Sequence, residues 1–190
     1  MGLLLVNQKR KGVYYRGENL ESKIIFTRVW AMPTPWTFSI YPIQKLLQKY
    51  ITNAKNWIDP FAGRFSPAGI TNDHNPNMKA KFTMEAIDFA NMLTGQYDGV
   101  LFDPPYSMRQ ISEHYKTMGK KATQKQTSMN FYEPVKSAIC GKISPAGYAI
   151  SFGWNTSGFG KARGFRIIEI MAVAHGGARN DTLVTVEKKT

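Results

Sequence analysis

The sequence predicts an open α/β sheet within one domain, and three observations predict it. Short apolar runs alternate with amphipathic stretches of helical length, the pattern of successive parallel βαβ units. Three of the runs lead into an acidic residue, at Asp59, Asp73 and Asp103. The last two runs follow one another with no helix between them, which reads as an antiparallel hairpin at the end of the sheet. Ligands of open sheets bind at the carboxyl ends of the strands. All three acids are therefore expected to face one crevice.

Each element has its own signal. Residues 1–36 form a basic, aromatic extension with Lys9, Arg10, Lys11, Arg16, Lys23, Arg28, Tyr14, Tyr15, Trp30 and Trp36. Within it, Ile24 to Trp30 is β-branched and aromatic enough for a strand, which Pro33 and Pro35 end. A helix starts at Pro42, because Ile43, Leu46, Leu47, Tyr50 and Ile51 fall on one face and proline suits a first turn. Strands are then expected at Trp57-Ile58, at Ile70, at Lys81 to Met84 and at Val100 to Phe102. A helix follows the third of these, from near Glu85 to Leu93, and another spans Phe131 to Ile143. Tyr148 to Trp154, Phe165 to Ala174 and Thr182 to Val186 complete the sheet, with a turn through Gly176, Gly177 and Asn180.

A chain of 190 residues is long enough for one well-cored domain and short for two. Apolar residues at 43% and charged residues at 20% are a globular balance, not a disordered one. The 25 Lys and Arg against 13 Asp and Glu give a net charge of +12. An excess of that size attracts polyanions, so nucleic acid is the expected partner and a membrane is not. Cys140 stands alone, which excludes an internal disulfide and a cysteine metal cluster, and it reads as a small core residue. His74, His114 and His175 lack metal-ligand spacing, so no metal is expected. Leu3 to Val6 is a short apolar run with its charges after it, the reverse of a secretory signal, and a soluble cytoplasmic protein is expected.

Asp103-Pro104-Pro105-Tyr106 is the most informative segment. The exocyclic amine of a nucleobase is a poor nucleophile, because its lone pair is delocalised into the ring. Acceptors on the amine hydrogens, the Asp103 carboxylate and a backbone carbonyl, would favour the pyramidal geometry as charge develops. The prolines remove competing N–H donors and stiffen the loop. Tyr106 offers a flat face to an extruded base. The plain alternative is a proline-rich turn with Tyr106 as packing.

This tetrapeptide resembles the catalytic motif of the SAM-dependent amino-methyltransferases that modify adenine in DNA. The resemblance implies that Asp103 and the Pro104 carbonyl hold the target amine, with Pro105 stiffening the loop and Tyr106 stacking on a flipped base. Asp59-Pro60-Phe61-Ala62-Gly63 is similar to that family's loop for S-adenosylmethionine (SAM), whose product is S-adenosylhomocysteine. Asp73, with Asn75, resembles the site of the ribose-binding acid. Glu85-Ala86 matches the place of the acid near the cofactor's adenine, and Thr37-Phe38 resembles the segment that covers the cofactor. The implied fold is the Rossmann-like class I methyltransferase fold, an open, mostly parallel seven-stranded sheet with a terminal antiparallel hairpin. The resemblance spans residues 34–188.

Two departures stand out. The family's second glycine, two residues after the first, is replaced in Gly63-Arg64-Phe65-Ser66, and no extended target-recognition domain follows the catalytic loop. The basic stretch 107–130 reads instead as a substrate-side loop or lid, with Arg109, Tyr115, Lys116, Lys120, Lys121 and Lys125 placed to meet phosphates. DNA adenine is the preferred substrate. The alternatives are an RNA base methyltransferase, such as one for ribosomal RNA, and a non-catalytic nucleic-acid-binding subunit with a decayed SAM loop. A second copy or a separate specificity subunit would supply any extended reading surface.

Overall fold

The computed structural model describes residues 23–105, 132–177 and 180–190, together with 112, 116 and 119. Its seven strands are β1 (Ile25–Trp30), β2 (Trp57–Asp59), β3 (Ile70–Thr71), β4 (Tyr97–Phe102), β5 (Ile143–Gly153), β6 (Phe165–Ala174) and β7 (Thr182–Lys189). They form one sheet in the order β1-β6-β7-β5-β4-β2-β3. Every pairing is parallel except the two made by β7, which runs antiparallel between β5 and β6.

Helix α1 (Tyr41–Tyr50) packs on one face of the sheet, while α2 (Ala86–Met92) and α3 (Glu133–Cys140) pack on the other. The period of two in the strands decides which residue serves which face. Leu101, Ile150 and Phe152 join the α1 side with Ile43, Leu46 and Leu47. Val100, Phe102 and Ala149 join the opposite side with Phe89, Val135 and Ile139. In β4, Gly99 is required because a Cβ there would meet the Trp57 indole at 2.5 Å. The bare backbone lets that ring lie flat across the sheet and stack on Tyr148 at 6.5 Å.

The hairpin of β6 and β7 is present, but it does not end the sheet. Its second strand inserts next to β5, and β1 pairs in parallel along the outer side of β6, from Ile25 opposite Glu169 to Trp30 opposite Ala174. The expected strand at Lys81 to Met84 is reduced to a single bridge between Asn72 and Phe82. The cause is Asn72, which is fully buried. Its side-chain amide donates to Met84 O at 3.1 Å and its side-chain oxygen accepts from Met84 N at 3.1 Å. A side chain thus does what a strand ladder would otherwise do. The sheet still has seven strands, with β1 in place of that segment. Ile143, expected at the end of a helix, opens β5 instead, and Cys140 is half-buried with its thiol on Ser137 O.

Candidate functional site

The parallel register brings the carboxyl ends of β2 and β4 together, with Ile58 opposite Val100, while Asp59 at the end of β2 sits opposite Thr71 of β3. Asp59, Asp73 and Asp103 follow at or just beyond those three ends. They are close enough for the charges of Asp103 and Asp73 to act on Asp59. Among the described residues no group of His, Cys, Asp or Glu is arranged to hold a metal ion.

Each acid is held by a different partner. Asp59 is wholly buried, accepting from Phe61 N at 2.9 Å and from the Ser66 hydroxyl at 2.6 Å. Burial pushes its pKa up to about 8 against the pull of those two donors, and the charges of Asp103 and Asp73 push the same way. Asp73 accepts from Gly63 N at 2.9 Å and from Asn75 N at 2.8 Å. Asp103 lies beyond β4, half-buried, where burial raises its pKa to about 7 and a hydrogen bond from the Thr37 side chain opposes the rise. Pro104 and Pro105, also half-buried, continue the loop.

The loop after β2 is built from short-range constraints. Pro60 O accepts from the Asn72 side chain at 3.1 Å, and Ala62 N donates to Asn72 O at 2.9 Å. The Phe61 ring packs edge-on against Phe102 and Tyr132. Gly63 takes the left-handed conformation, with φ of 51°, which glycine adopts without steric cost. Phe65, at the position of the missing second glycine, is also left-handed, with φ of 67°. A backbone conformation that glycine adopts freely is thus held here by a phenylalanine.

Other expected residues do different work. Phe38 is a core residue, 4% exposed, with its ring edge-on to Phe152. Asn75 spends its side-chain oxygen on Asn77 N at 3.0 Å. Glu85 precedes α2 and pairs with His74 Nδ1 at 3.3 Å, while Ala86 begins that helix and packs on the α2 side of the core. Lys116 is exposed. Tyr106, Arg109, Tyr115, Lys120, Lys121 and Lys125 lie outside the described residues. Sequence reasoning missed Ser66, Asn72, His74 and Trp36 as parts of the site. Polar residues seven and thirteen positions beyond Asp59 were the available signal for the first two. Arg163, in the loop before β6, is committed to Glu133 at 2.8 Å and to Phe159 O at 3.1 Å.

No family model matches the sequence, and no curated protein does. Solved structures do match. TrmN from Thermus thermophilus aligns with a TM-score of 0.53 at 14% identity, covering 77% of this chain and 48% of that one. The chain therefore spans about half the length of TrmN. The N-methyltransferase NodS from Bradyrhizobium japonicum aligns with a TM-score of 0.52 at 9% identity, covering 80% of this chain and 96% of NodS. NodS in complex with S-adenosylhomocysteine gives 0.52 at 10% identity, over 82% and 89%.

The fold is the class I methyltransferase fold. In this sheet β2, β3 and β4 lead into the acids, and β7 runs antiparallel between β5 and β6. The added β1 lies on the far side of β6 from the acids. Among the described residues no helix is long and apolar enough to cross a membrane.

Proposed function

We propose that this chain is a SAM-dependent methyltransferase that modifies the exocyclic amine of a nucleic-acid base, adenine in DNA. One observation carries the reading. Asp103-Pro104-Pro105 leaves the end of β4 directly beside two buried acids, on the class I methyltransferase fold.

The residues present fit the cofactor. Asp73 gives one oxygen to Gly63 N and the other to Asn75 N, and each oxygen keeps a lone pair for a ribose hydroxyl. The buried Asp59 carboxyl, with its raised pKa, gains from a cationic ligand, and SAM carries a sulfonium and an ammonium. The loop Asp59-Pro60-Phe61-Ala62-Gly63 would hold the methionine end. SAM, when bound, supplies an electrophilic methyl group. Asp103 and Pro104 O accept the hydrogens of the target amine and hold its lone pair toward that methyl. Thr37 orients Asp103 and favours its ionised form against the burial that raises its pKa. The proton released by the methylated amine passes to solvent, so no strong base is needed. Tyr106 stacks on the base, and Arg109, Tyr115, Lys116, Lys120, Lys121 and Lys125 meet the backbone.

The hydrogen bonds of Gly63 N to Asp73 and of the Ser66 hydroxyl to Asp59 speak against a decayed cofactor loop, because they keep the loop ordered around Phe65. Incubation of the protein with SAM and either DNA or RNA, followed by mass spectrometry of the nucleosides, tests the reading. N6-methyladenine in DNA is the expected product. Methylation confined to RNA would replace DNA as the substrate, and absence of SAM binding by calorimetry would overturn the proposal.

A further inference from the structure

Phe65 combines two costs that a folded chain ordinarily avoids. Its φ of 67° is an outlier for a bulky residue, and the residue is 65% exposed. Strain of this kind persists only where the surroundings over-determine it. Here they do, since Gly63 N is tied to Asp73 on one side and the Ser66 hydroxyl to Asp59 on the other. The ring held outward by those bonds meets Trp36 edge-on, centroid to centroid at 6.4 Å. Trp36 is half-buried and lies 3.8 Å from where a Gly63 Cβ would stand, with the Arg64 guanidinium over its ring at 5.4 Å. The next residue, Thr37, bonds Asp103. The aromatic pair is therefore flanked in sequence by the residues that grip all three acids.

We infer that Phe65 and Trp36 form a stacking platform for an unpaired nucleobase next to the target, with Arg64 as its cationic flank. This rests on the nucleic-acid reading above. A core role does not account for Phe65, which is a largely exposed residue. Stacking does account for it, because every base has a π-face and an exposed ring beside a guanidinium is what single-stranded nucleic acid binds. The net charge of +12 supplies the matching long-range attraction.

The test uses the full chain and fluorescein-labelled single-stranded 12-mers of DNA and of RNA, read by anisotropy, beside calorimetry with SAM and thermal melts. Phe65→Gly should weaken oligonucleotide binding about tenfold, the effect of losing one base–aromatic stack. The same variant should melt no lower than the wild type, because glycine relieves the left-handed residue. Phe65→Tyr should retain oligonucleotide affinity and Phe65→Leu should lose it, which keeps the test decisive if the glycine variant folds poorly. The arm that the wild type binds more tightly identifies the polymer. Unchanged oligonucleotide affinity in Phe65→Leu, a loss seen only with SAM, or a wild type that binds neither oligonucleotide would overturn the platform. Failure of the wild type to bind SAM, with the oligonucleotide losses intact, would overturn the methyltransferase reading and leave the platform standing.

Discussion

Thr37 hydrogen bonds through its side chain to Asp103, joining the turn ahead of α1 to the loop that leaves β4. The bond crosses 66 positions of sequence and links two segments that no local pattern connects. It favours the ionised carboxylate, working against the burial that raises Asp103 to about 7. Methyl transfer should therefore rise with pH through a midpoint near 7. Thr37→Val, which keeps the shape and removes the donor, should move that midpoint upward. A pH–rate profile with the same midpoint in both proteins would show that Asp103 does not depend on Thr37.

Asp103→Ala should lower the rate of transfer on the order of a hundredfold, as expected for loss of a charged acceptor at a developing charge. SAM affinity should stay within a few-fold, because the proposed place of Asp103 is at the amine and not at the ribose. Single-turnover kinetics and calorimetry separate the two effects. Activity within a few-fold of wild type would remove Asp103 from the chemistry.

Asp73→Ala should act on the cofactor instead. It removes the acceptor of Gly63 N and Asn75 N and, with them, the charged partner proposed for the ribose hydroxyls. The SAM dissociation constant should rise about tenfold or more, with oligonucleotide affinity little changed. Isothermal titration with both ligands decides it.

Stability should fall with rising pH in the protein without SAM. Asp59 and Asp103 have folded pKa values of about 8 and about 7, above the ordinary carboxyl value of 3.8. Between those limits the folded chain keeps protons that the unfolded chain has released, so alkali favours unfolding. The effect is complete once pH exceeds about 8. The melting temperature should drop several degrees from pH 5 to pH 8.5, at about 2–4 °C per kcal/mol for a chain of this size. Asp59→Asn should flatten the slope, and SAM should raise the melting temperature more at pH 8.5 than at pH 6.5. A flat or rising curve in the apo protein would contradict the raised carboxyl values.

Much of the architecture was legible because it is written in local periods. The apolar run Val100 to Phe102 and the helical spacing of Ile43, Leu46, Leu47 and Tyr50 correspond to residues that the structure buries. Acids at strand ends were legible for the same reason. The place of β1 was not, since its partner β6 lies about 140 residues away and nothing local selects one distant edge over another. Nor was the loss of the strand at Lys81 to Met84, because Asn72 replaces it through a side chain. Phe38 reads equally well as a cofactor cover or a core residue until Phe152 is found against it. The left-handed turn at residue 65 was hidden because the usual sign, a glycine, is absent.

The outer position of β1 has a practical consequence. Its residues alternate half-buried and exposed, and Val29 rests on the α1 side of the core. A protein shortened to begin at residue 31 would uncover the stretch of β6 that β1 covers, Glu169 to Ala174, and leave the main-chain donors and acceptors on that side unpaired. Such an edge recruits the nearest extended chain, and in concentrated solution that is another molecule's. Trimming the basic arm to improve handling would then yield strand-exchanged dimers and fibrous precipitate, while a synthetic peptide covering residues 23–30, added in excess, should restore a dispersed, singly folded protein.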